Sequence, residues 1–297
     1  PVSEFEGNFS WGYNPNYFFA LDKFYGTETA FKEFIDACHE QGIAVIIDMV
    51  MNHAFGSSPH NLMYWDGANN KPSIDNPWLN QDAKHPFNVG YDFNHESNAT
   101  KELVARVARH WLTKYNLDGF RWDLSKGFTQ TNNPNNVGAW GAYDASRVAI
   151  WKRIYDKIRS YDASAYVMLE HFAANNEENE LGNYGMLFWG NSKSDMTRVV
   201  QGYTQDLSQA SYKMRGFNNP SVVSYIESHD EERLMVEMTA GAKKTFTAQE
   251  RIERMKMAAA TFFTIPGPKL IWQFGELGYD ISINENGRTG VKPLKWN

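Results

Sequence analysis

The sequence is poor in cysteine and has no long hydrophobic run. Cys38 is the only cysteine among 297 residues, which excludes an internal disulfide framework and a metal cluster built on cysteine. No stretch of 18 or more apolar residues occurs, so the sequence predicts no membrane span. The net charge of −6 shows no basic excess. We therefore expect no nucleic-acid partner.

What the sequence does contain is an alternation of short apolar strands and amphipathic helices. The segment GIAVIIDMV (42–50) is typical of a buried parallel strand, and TETAFKEFIDACHEQ before it has apolar residues at helical spacing. The same alternation predicts helices over 98–115, 144–160 and 249–263. Five further strands are predicted in LDGFRWDL, AYVMLEHF, YGMLFWG, SVVSYIESHD and GPKLIWQFGEL.

This order favours βα units on a parallel sheet. An open doubly wound sheet also fits the pattern, although the sequence has no glycine-rich strand-to-helix turn of the dinucleotide-binding kind. The rhythm is broken once, by about 45 residues rich in Asn, Pro, Gly and aromatics that follow DMVMNH. Long irregular segments inside compact domains tend to be functional or disordered. Because this one is rich in aromatic residues, we expect it to be folded.

Polar residues cluster where the predicted strands end. In GFRWDLSKG (119–127), strand alternation places Arg121 and Asp123 on one face and apolar side chains on the other. Similar polar pairs close the other strands: Asp48 with Asn52 and His53, Glu170 with His171, and His229 with Asp230. In a barrel of parallel strands, that end carries the active site.

Several acids converging on one rim suit glycoside hydrolysis. One carboxylate attacks the anomeric carbon, and a second, protonated one gives its proton to the leaving oxygen. Arg121 would keep the nucleophile ionised through charge-assisted hydrogen bonds. Metal-assisted hydrolysis is an alternative, but only DMVMNH offers a set of metal ligands. Taken singly, each residue also has a structural explanation, as a cap, a solvated acid or a core histidine.

The sequence resembles the α-amylase family of glycoside hydrolases and transglycosidases. Four segments carry the resemblance in the family's order: DMVMNH, GFRWDLSKG, LEHF and YIESHDEE. SWGYNPNYFFALDKFYGT (10–27) also resembles the stretch after the family's second strand. The resemblance implies an α/β fold, a (β/α)8 TIM barrel with a small domain B inserted after strand three.

The resemblance also implies roles for individual residues. Asp123 matches the nucleophile, Glu170 the general acid/base and Asp230 the carboxylate that stabilises the transition state. The residues implied to bind substrate or support the site are Tyr13, Asp48, His53, Arg121, Lys126 and His229. No metal ligand is assigned and no cofactor is required for the chemistry. A structural calcium stays open, because Asn52 matches one of its ligands but Gly127 replaces a histidine whose backbone helps to hold it.

The resemblance also implies how the chain is divided into domains. Residues 1–53 would be the first part of the barrel, 54–97 a domain B-like insertion, and 98–297 the second part, with strands four to eight. Strand one would precede Pro1, and the final helix and C-terminal β-domain would follow Asn297. We therefore interpret the chain as a truncated barrel from a longer polypeptide.

Two activities remain open within the family. The leading interpretation is a retaining α-glucan hydrolase of α-amylase type, acting on α-1,4 bonds of starch- or glycogen-like polysaccharide. Ser228-His229-Asp230-Glu231 together with SWGYNP looks more like glucan branching enzymes, so branching or another transglycosylation is the second interpretation. An inactive α-glucan-binding relative is the third. A polymeric substrate favours an extracellular or cell-surface location over the cytoplasm.

Overall fold

The structure, a computed structural model, describes residues 1–296. The chain forms two compact units, Pro1–Leu187 and a second that begins at Phe188. No helix among the described residues combines the length and the apolar character that crossing a membrane requires. Each unit is described by itself below.

The first unit is built around three parallel strands. Its strands are β1 (Ser3–Phe5), β2 (Pro15–Leu21), β3 (Ile46–Met49), β4 (His53–Ala54), β5 (Trp65–Asp66), β6 (Lys71–Pro72), β7 (Tyr91–Asp92), β8 (Gly119–Trp122) and β9 (Tyr166–Leu169). Its helices are α1 (Glu28–Glu40), α2 (Pro59–Leu62), α3 (Asn98–Tyr115), α4 (Val137–Gly141), α5 (Ala145–Tyr161) and α6 (Asn175–Tyr184), with a 3₁₀ turn at Ser125–Phe128. Strand β8 pairs in parallel with β3 on one side and β9 on the other.

Local sequence explains where the long helices of this unit begin. The side chains of Thr27, Ser97 and Asp144 accept hydrogen bonds from backbone N–H groups in the first turns of α1, α3 and α5. Such caps satisfy donors that a helix start otherwise leaves open. At the other end of α3, Asn116 adopts a left-handed conformation with φ 56° and ends the helix.

The apolar core of the first unit lies on the face of β8 that packs against α5. Trp122 is fully buried and its ring centroid lies 5.6 Å from that of Trp151 on α5, which in turn lies 4.5 Å from Phe128. Truncation of a side chain of this size in a core costs about 3–5 kcal/mol. Trp122 therefore fixes β8 against α5, and Phe120 packs beside it with 5.4 Å between the ring centroids. Arg121 lies on the opposite face, as the alternation in GFRWDLSKG predicts.

Gly119 begins β8 at a position that no other residue would tolerate. Its φ is +152°, and an added Cβ would lie 2.2 Å from the carbonyl oxygen of Tyr166 on β9. This close approach sets the register in which Arg121 lies opposite Met168, and Asp48 of β3 lies opposite Arg121. The close packing of these strands brings their C-terminal ends together.

The excursion between β4 and α3 consists of short pieces. Strand β4 pairs with β7 and β5 pairs with β6, both antiparallel. The aromatic rings of this segment pack on one another, for example Trp65 with Tyr91 and Tyr64 with Trp78. The segment is therefore ordered by its own aromatic contacts.

The second unit repeats the parallel arrangement. Its elements are β10 (Leu187–Asn191), which starts at the boundary, α7 (Lys193–Val200), a 3₁₀ turn at Ser208–Ala210, β11 (Val222–Tyr225), α8 (Leu234–Glu237), α9 (Ala248–Thr264), β12 (Lys269–Leu270) and a 3₁₀ turn at Gly275–Leu277. Strand β11 pairs in parallel with β10 and with β12. Helix α9 starts with a capping box between Thr247 and Glu250, and its Phe262 is buried with Leu234 of α8.

Candidate active site

Arg121 is the centre of the candidate site in the first unit. Its Nη1 lies 2.5 Å from Asp48 Oδ1 and 3.0 Å from Asp123 Oδ1, and its Nη2 lies 2.9 Å from Glu170 Oε2. Only 4% of the arginine is exposed. Burial alone would lower the pKa of Arg121, but the three carboxylates raise it well above its usual range. One buried cation therefore faces three acids supplied by the ends of β3, β8 and β9.

The backbone holds these acids at the strand ends. The amide of Asp123 donates to the carbonyl of Met49, and the amide of Glu170 donates to the carbonyl of Trp122. Leu124, directly after Asp123, has a left-handed backbone with φ 43°, which ends the strand and turns the chain. Its amide donates to Glu170 Oε2 at 2.9 Å. The turn after β8 thus supplies a hydrogen-bond donor to the carboxylate of Glu170.

Asp123 and Glu170 form a hydrogen-bonded pair of acids. Burial raises the pKa of Asp123 well above its usual range. Arg121 opposes this shift, whereas Glu170, through its charge and a hydrogen bond, and Asp48 add to it. Two adjacent carboxyls in a dry site disfavour each other's ionisation. Arg121 contacts both acids, yet the net shift in the pKa of Asp123 is upward.

Asp48 is ionised and anchors Tyr13. Burial works against ionisation of Asp48, but Arg121 and the Tyr13 hydroxyl, which donates to Oδ2 at 2.6 Å, hold its pKa below the usual value. Burial and the Asp48 charge in turn raise the pKa of Tyr13. The Tyr13 ring lies 5.8 Å from the guanidinium of Arg121. Tyr13 thus lies in the same cluster, and its assignment to substrate binding stays a prediction.

His53 lies behind the cluster. It is 1% exposed, and its Nε2 lies 2.8 Å from the carbonyl oxygen of Tyr13, to which it donates. Burial lowers the pKa of His53 to about 4, so the ring is neutral at physiological pH. In this arrangement His53 supports the backbone of Tyr13, and its assignment to sugar binding stays a prediction.

Lys126 is also engaged inside the protein. Its Nζ donates to the carbonyl of Phe172 at 2.8 Å and lies 4.0 Å from the centre of the Trp140 ring. Burial, followed by the charge of Arg147, lowers the pKa of Lys126. The ammonium therefore holds the segment after Glu170, where Phe172 has a left-handed backbone with φ 50°.

His229 and Asp230 lie together in the second unit. His229 Nε2 is 3.3 Å from Asp230 Oδ2, and the Asp230 side chain is 46% exposed. The His229 ring lies between the rings of Trp189 and Trp272, at centroid distances of 6.0 and 5.9 Å. The histidine is thus fixed by aromatic packing while the carboxylate reaches solvent.

The residues around Asp230 explain the Ser-His-Asp-Glu sequence. Ser228 Oγ donates to Glu231 and accepts from the amide of Asp230 at 3.1 Å. Sequence reasoning missed Arg288, whose Nη2 donates to the carbonyl of Asp230 at 2.6 Å. No sequence signal indicated this contact, because 58 residues separate the two positions.

The position that the family resemblance associates with calcium does not fit that ion. The Oδ1 atoms of Asn52 and Asp92 and the Nε2 of His85 are buried and have no hydrogen-bond partner within residues 1–296. His85 Nε2 lies 3.4 Å from Asp92 Oδ1. An added Cβ on Gly127 would lie 1.8 Å from Asn52 Oδ1 and 2.8 Å from His85 Nε2. Calcium takes six to eight oxygen ligands, whereas here an imidazole nitrogen shares the space with two side-chain oxygens. No group of three or more His, Cys, Asp or Glu within residues 1–296 could hold a metal ion.

Comparison with known proteins places the whole segment in one family. A model of the alpha amylase catalytic domain matches residues 5–293. The 1,4-alpha-glucan branching enzyme GlgB of Aliivibrio fischeri is 30% identical over 182 residues, which are 59% of this chain and 24% of the relative. GlgB of Rhodospirillum rubrum is 31% identical over 140 residues, 47% of this chain and 18% of the relative. The matches thus span about a quarter or less of these curated relatives.

Solved structures share the fold at lower identity. Amy13B of Eubacterium rectale superposes with a TM-score of 0.72 and 18% identity, covering 96% of this chain and 59% of that one. The type III pullulan hydrolase of Thermococcus kodakarensis gives a TM-score of 0.72 and 19% identity, covering 100% of this chain and 51% of that one. The predicted fold class, α/β of the (β/α)8 barrel type, is confirmed.

Proposed function

Because the chain belongs to the alpha amylase catalytic-domain family, we propose that it is a retaining glycosidase that cleaves α-1,4-glucosidic bonds in starch- or glycogen-like polysaccharide. The observation that carries the proposal is the pairing of Asp123 with Glu170 beside Arg121. A carboxylate that can attack and a second carboxyl that can supply a proton are the two groups that a retaining mechanism needs at its first step.

In the first step, a carboxylate oxygen of Asp123 attacks C1 of the glucosyl unit. The bond between C1 and the leaving oxygen breaks, and Glu170 gives its proton to that oxygen. Arg121 contacts both acids and Asp48, so its positive charge offsets part of their negative charge. The product of this step is a glucosyl ester on Asp123.

In the second step, water attacks C1 of the ester. Its proton goes to Glu170, the bond between C1 and Asp123 breaks, and the carboxylate is restored. Two inversions at C1 retain the α configuration. Asp230 keeps the role that the family resemblance implies, stabilisation of the charge that develops on the sugar in both steps.

A branching reaction is the second candidate. It shares the ester and differs only in that a sugar hydroxyl replaces water in the second step. Two observations favour it: curated relatives carry the name 1,4-alpha-glucan branching enzyme, and Glu231 closes the turn at Ser228 in the Ser-His-Asp-Glu segment. An inactive glucan-binding protein is a third candidate, which the intact acid cluster disfavours.

Incubation with amylose separates these candidates. New reducing ends and new α-1,6 branches are counted in the same samples, with Asp123→Asn as the inactive control. A hydrolase produces reducing ends without branches. A rise in branches without a net rise in reducing ends would replace the hydrolase by the branching reaction. Glucan binding without either product would leave the third candidate.

A further inference from the structure

A buried ionic network lies behind Glu170 and plays no part in the mechanism above. Arg147 of α5 makes a two-pronged contact with Glu177 of α6, with Nε to Oε1 at 2.6 Å and Nη2 to Oε2 at 2.8 Å. Glu177 Oε1 lies 2.8 Å from His171 Nε2, and His171 Nδ1 lies 2.8 Å from Ser125 Oγ. All four side chains are at most 1% exposed. We refer to these four residues as the support chain.

The support chain ends on the backbone of the proposed acid. Both the amide and the Oγ of Ser125 lie within 3.0 Å of the carbonyl oxygen of Glu170 and donate to it. Ser125 stands two residues after Asp123, so these bonds tie the segment that carries the nucleophile to the segment that carries the acid. The Ser125 hydroxyl has one hydrogen. While that hydrogen is donated to Glu170, Ser125 Oγ accepts from His171 Nδ1.

The far end of the support chain is held rigidly. Besides Glu177, Arg147 donates to the carbonyls of Trp140 and Ala142, both at 3.0 Å, and Glu177 accepts from the amide of Asp144 at 2.8 Å. Hydrogen bonds to Arg147 and His171 keep the pKa of Glu177 below its usual value, although burial opposes this. A buried ion pair adds little net stability over an apolar core of equal volume. The ion pair between Arg147 and Glu177 therefore matters here because it fixes the position of the support chain.

We propose that His171, Glu177 and Arg147 are positioning residues that fix, through Ser125, the separation and orientation of Glu170 relative to Asp123. This inference rests on the proposed function, because it assigns Glu170 the proton transfer to the leaving oxygen. In a retaining glycosidase the nucleophile and the acid act on the same bond, so their relative position decides the rate. A displacement of about 1 Å can cost about 100-fold in rate. The hydrogen bonds from Ser125 to the Glu170 carbonyl restrict such displacements between the two strand ends.

The test compares two substrates that differ in their need for an acid. Maltosyl fluoride releases fluoride without general-acid help, whereas a maltooligosaccharide needs a proton on its leaving oxygen. His171→Gln keeps a donor towards Glu177 but loses the contact with Ser125, and His171→Asn does the reverse. We expect kcat on the maltooligosaccharide to fall about 10- to 100-fold in His171→Gln and less in His171→Asn, with KM little changed. For maltosyl fluoride the comparison uses kcat/KM, which reports only the first step, because the second step needs Glu170 with either substrate; in kcat/KM we expect both variants to stay within about threefold of the unchanged protein.

A matched control is available in the same unit. His39 Nε2 lies 2.8 Å from Asp118 Oδ2, a histidine–carboxylate pair of similar geometry that no step of the mechanism uses. His39→Asn should show no difference between the two substrates. Should the His171 variants not fold, Ser125→Ala removes only the hydroxyl and should give the same split.

The outcomes are distinguishable. Equal losses on both substrates, or no loss on either, in folded His171 or Ser125 variants would overturn the positioning role while leaving the proposed function intact. Absence of turnover of both substrates by the unchanged protein would refute the proposed function, and the positioning role with it.

Discussion

Replacing Arg121 by lysine keeps a positive charge in the site but removes the planar guanidinium that contacts three carboxylates. An ammonium in the same space can retain one of the contacts to Asp48, Asp123 and Glu170 and loses the other two. A hydrogen bond to a charged group contributes about 1.5–3 kcal/mol, so the two together amount to about 3–6 kcal/mol. The share that is realised in the transition state lowers kcat/KM, and each 1.36 kcal/mol is about tenfold. We expect a fall of at least about 100-fold.

The pH profile should change in the same variant. Arg121 lowers the pKa of Asp48 and opposes the rise in the pKa of Asp123. A weaker contact raises both pKa values, so the acidic limb of kcat/KM should move to higher pH. Initial rates of reducing-end release from amylose measure both effects.

Arg106→Lys is the control, because the Arg106 side chain is 72% exposed and pairs with Glu102, one turn earlier on α3. It should behave as the unchanged protein. If Arg121→Lys stayed within about threefold of the unchanged protein with the same pH profile, the account of the acid cluster would be refuted.

Three further predictions concern stability. The pKa of Asp123 is raised in the fold, so the contribution of this carboxyl to stability is lost as pH rises through its raised pKa. The gain in melting temperature of Asp123→Asn over the unchanged protein should therefore grow with pH. A gain that shrinks as pH rises would contradict this. The pKa of His53 is about 4 in the fold and about 6.5 in the unfolded chain, so stability falls as pH drops between these values. In His53→Gln that fall should be smaller by about 3 kcal/mol in urea titrations, and an equal fall would refute the burial argument. EDTA should leave the melting temperature unchanged, because Asn52, Asp92 and His85 do not fit calcium; a drop that added calcium reverses would overturn that conclusion.

The periodic part of the fold could be predicted from the sequence. The helices predicted over 98–115 and 144–160 are Asn98–Tyr115 and Ala145–Tyr161 in the structure. The strands within LDGFRWDL and AYVMLEHF are Gly119–Trp122 and Tyr166–Leu169. These elements bury apolar faces, so the spacing of their apolar residues reports the geometry directly.

Helix α6 was missed for a physical reason. It reads NNEENELGNY, and its buried residues include Glu177 and Glu178 as well as Leu181. A helix whose inner face consists of ion-paired acids shows no apolar periodicity. Its position depends on Arg147, 30 residues away, which a local pattern does not reveal.

The candidate site was predicted in outline only. The four motifs located Asp123, Glu170 and Arg121, but the sequence did not indicate that His53 would support Tyr13 or that Lys126 would donate to Phe172. The two residues of each contact lie 40 or more positions apart in the sequence. Side chains of the same type can bind substrate or hold the backbone, and only the fold distinguishes the two.

The nucleophile assignment is the central claim, and covalent trapping tests it most directly. With a 5-fluoro α-glucosyl fluoride as substrate, the glucosyl ester forms rapidly and is hydrolysed slowly. The ester therefore accumulates and can be located by proteolysis and mass spectrometry. The account predicts the added mass of one fluoroglucosyl group on Asp123, within residues 119–127, and none in Asp123→Asn. The same mass on Glu170 or on Asp230 would contradict it.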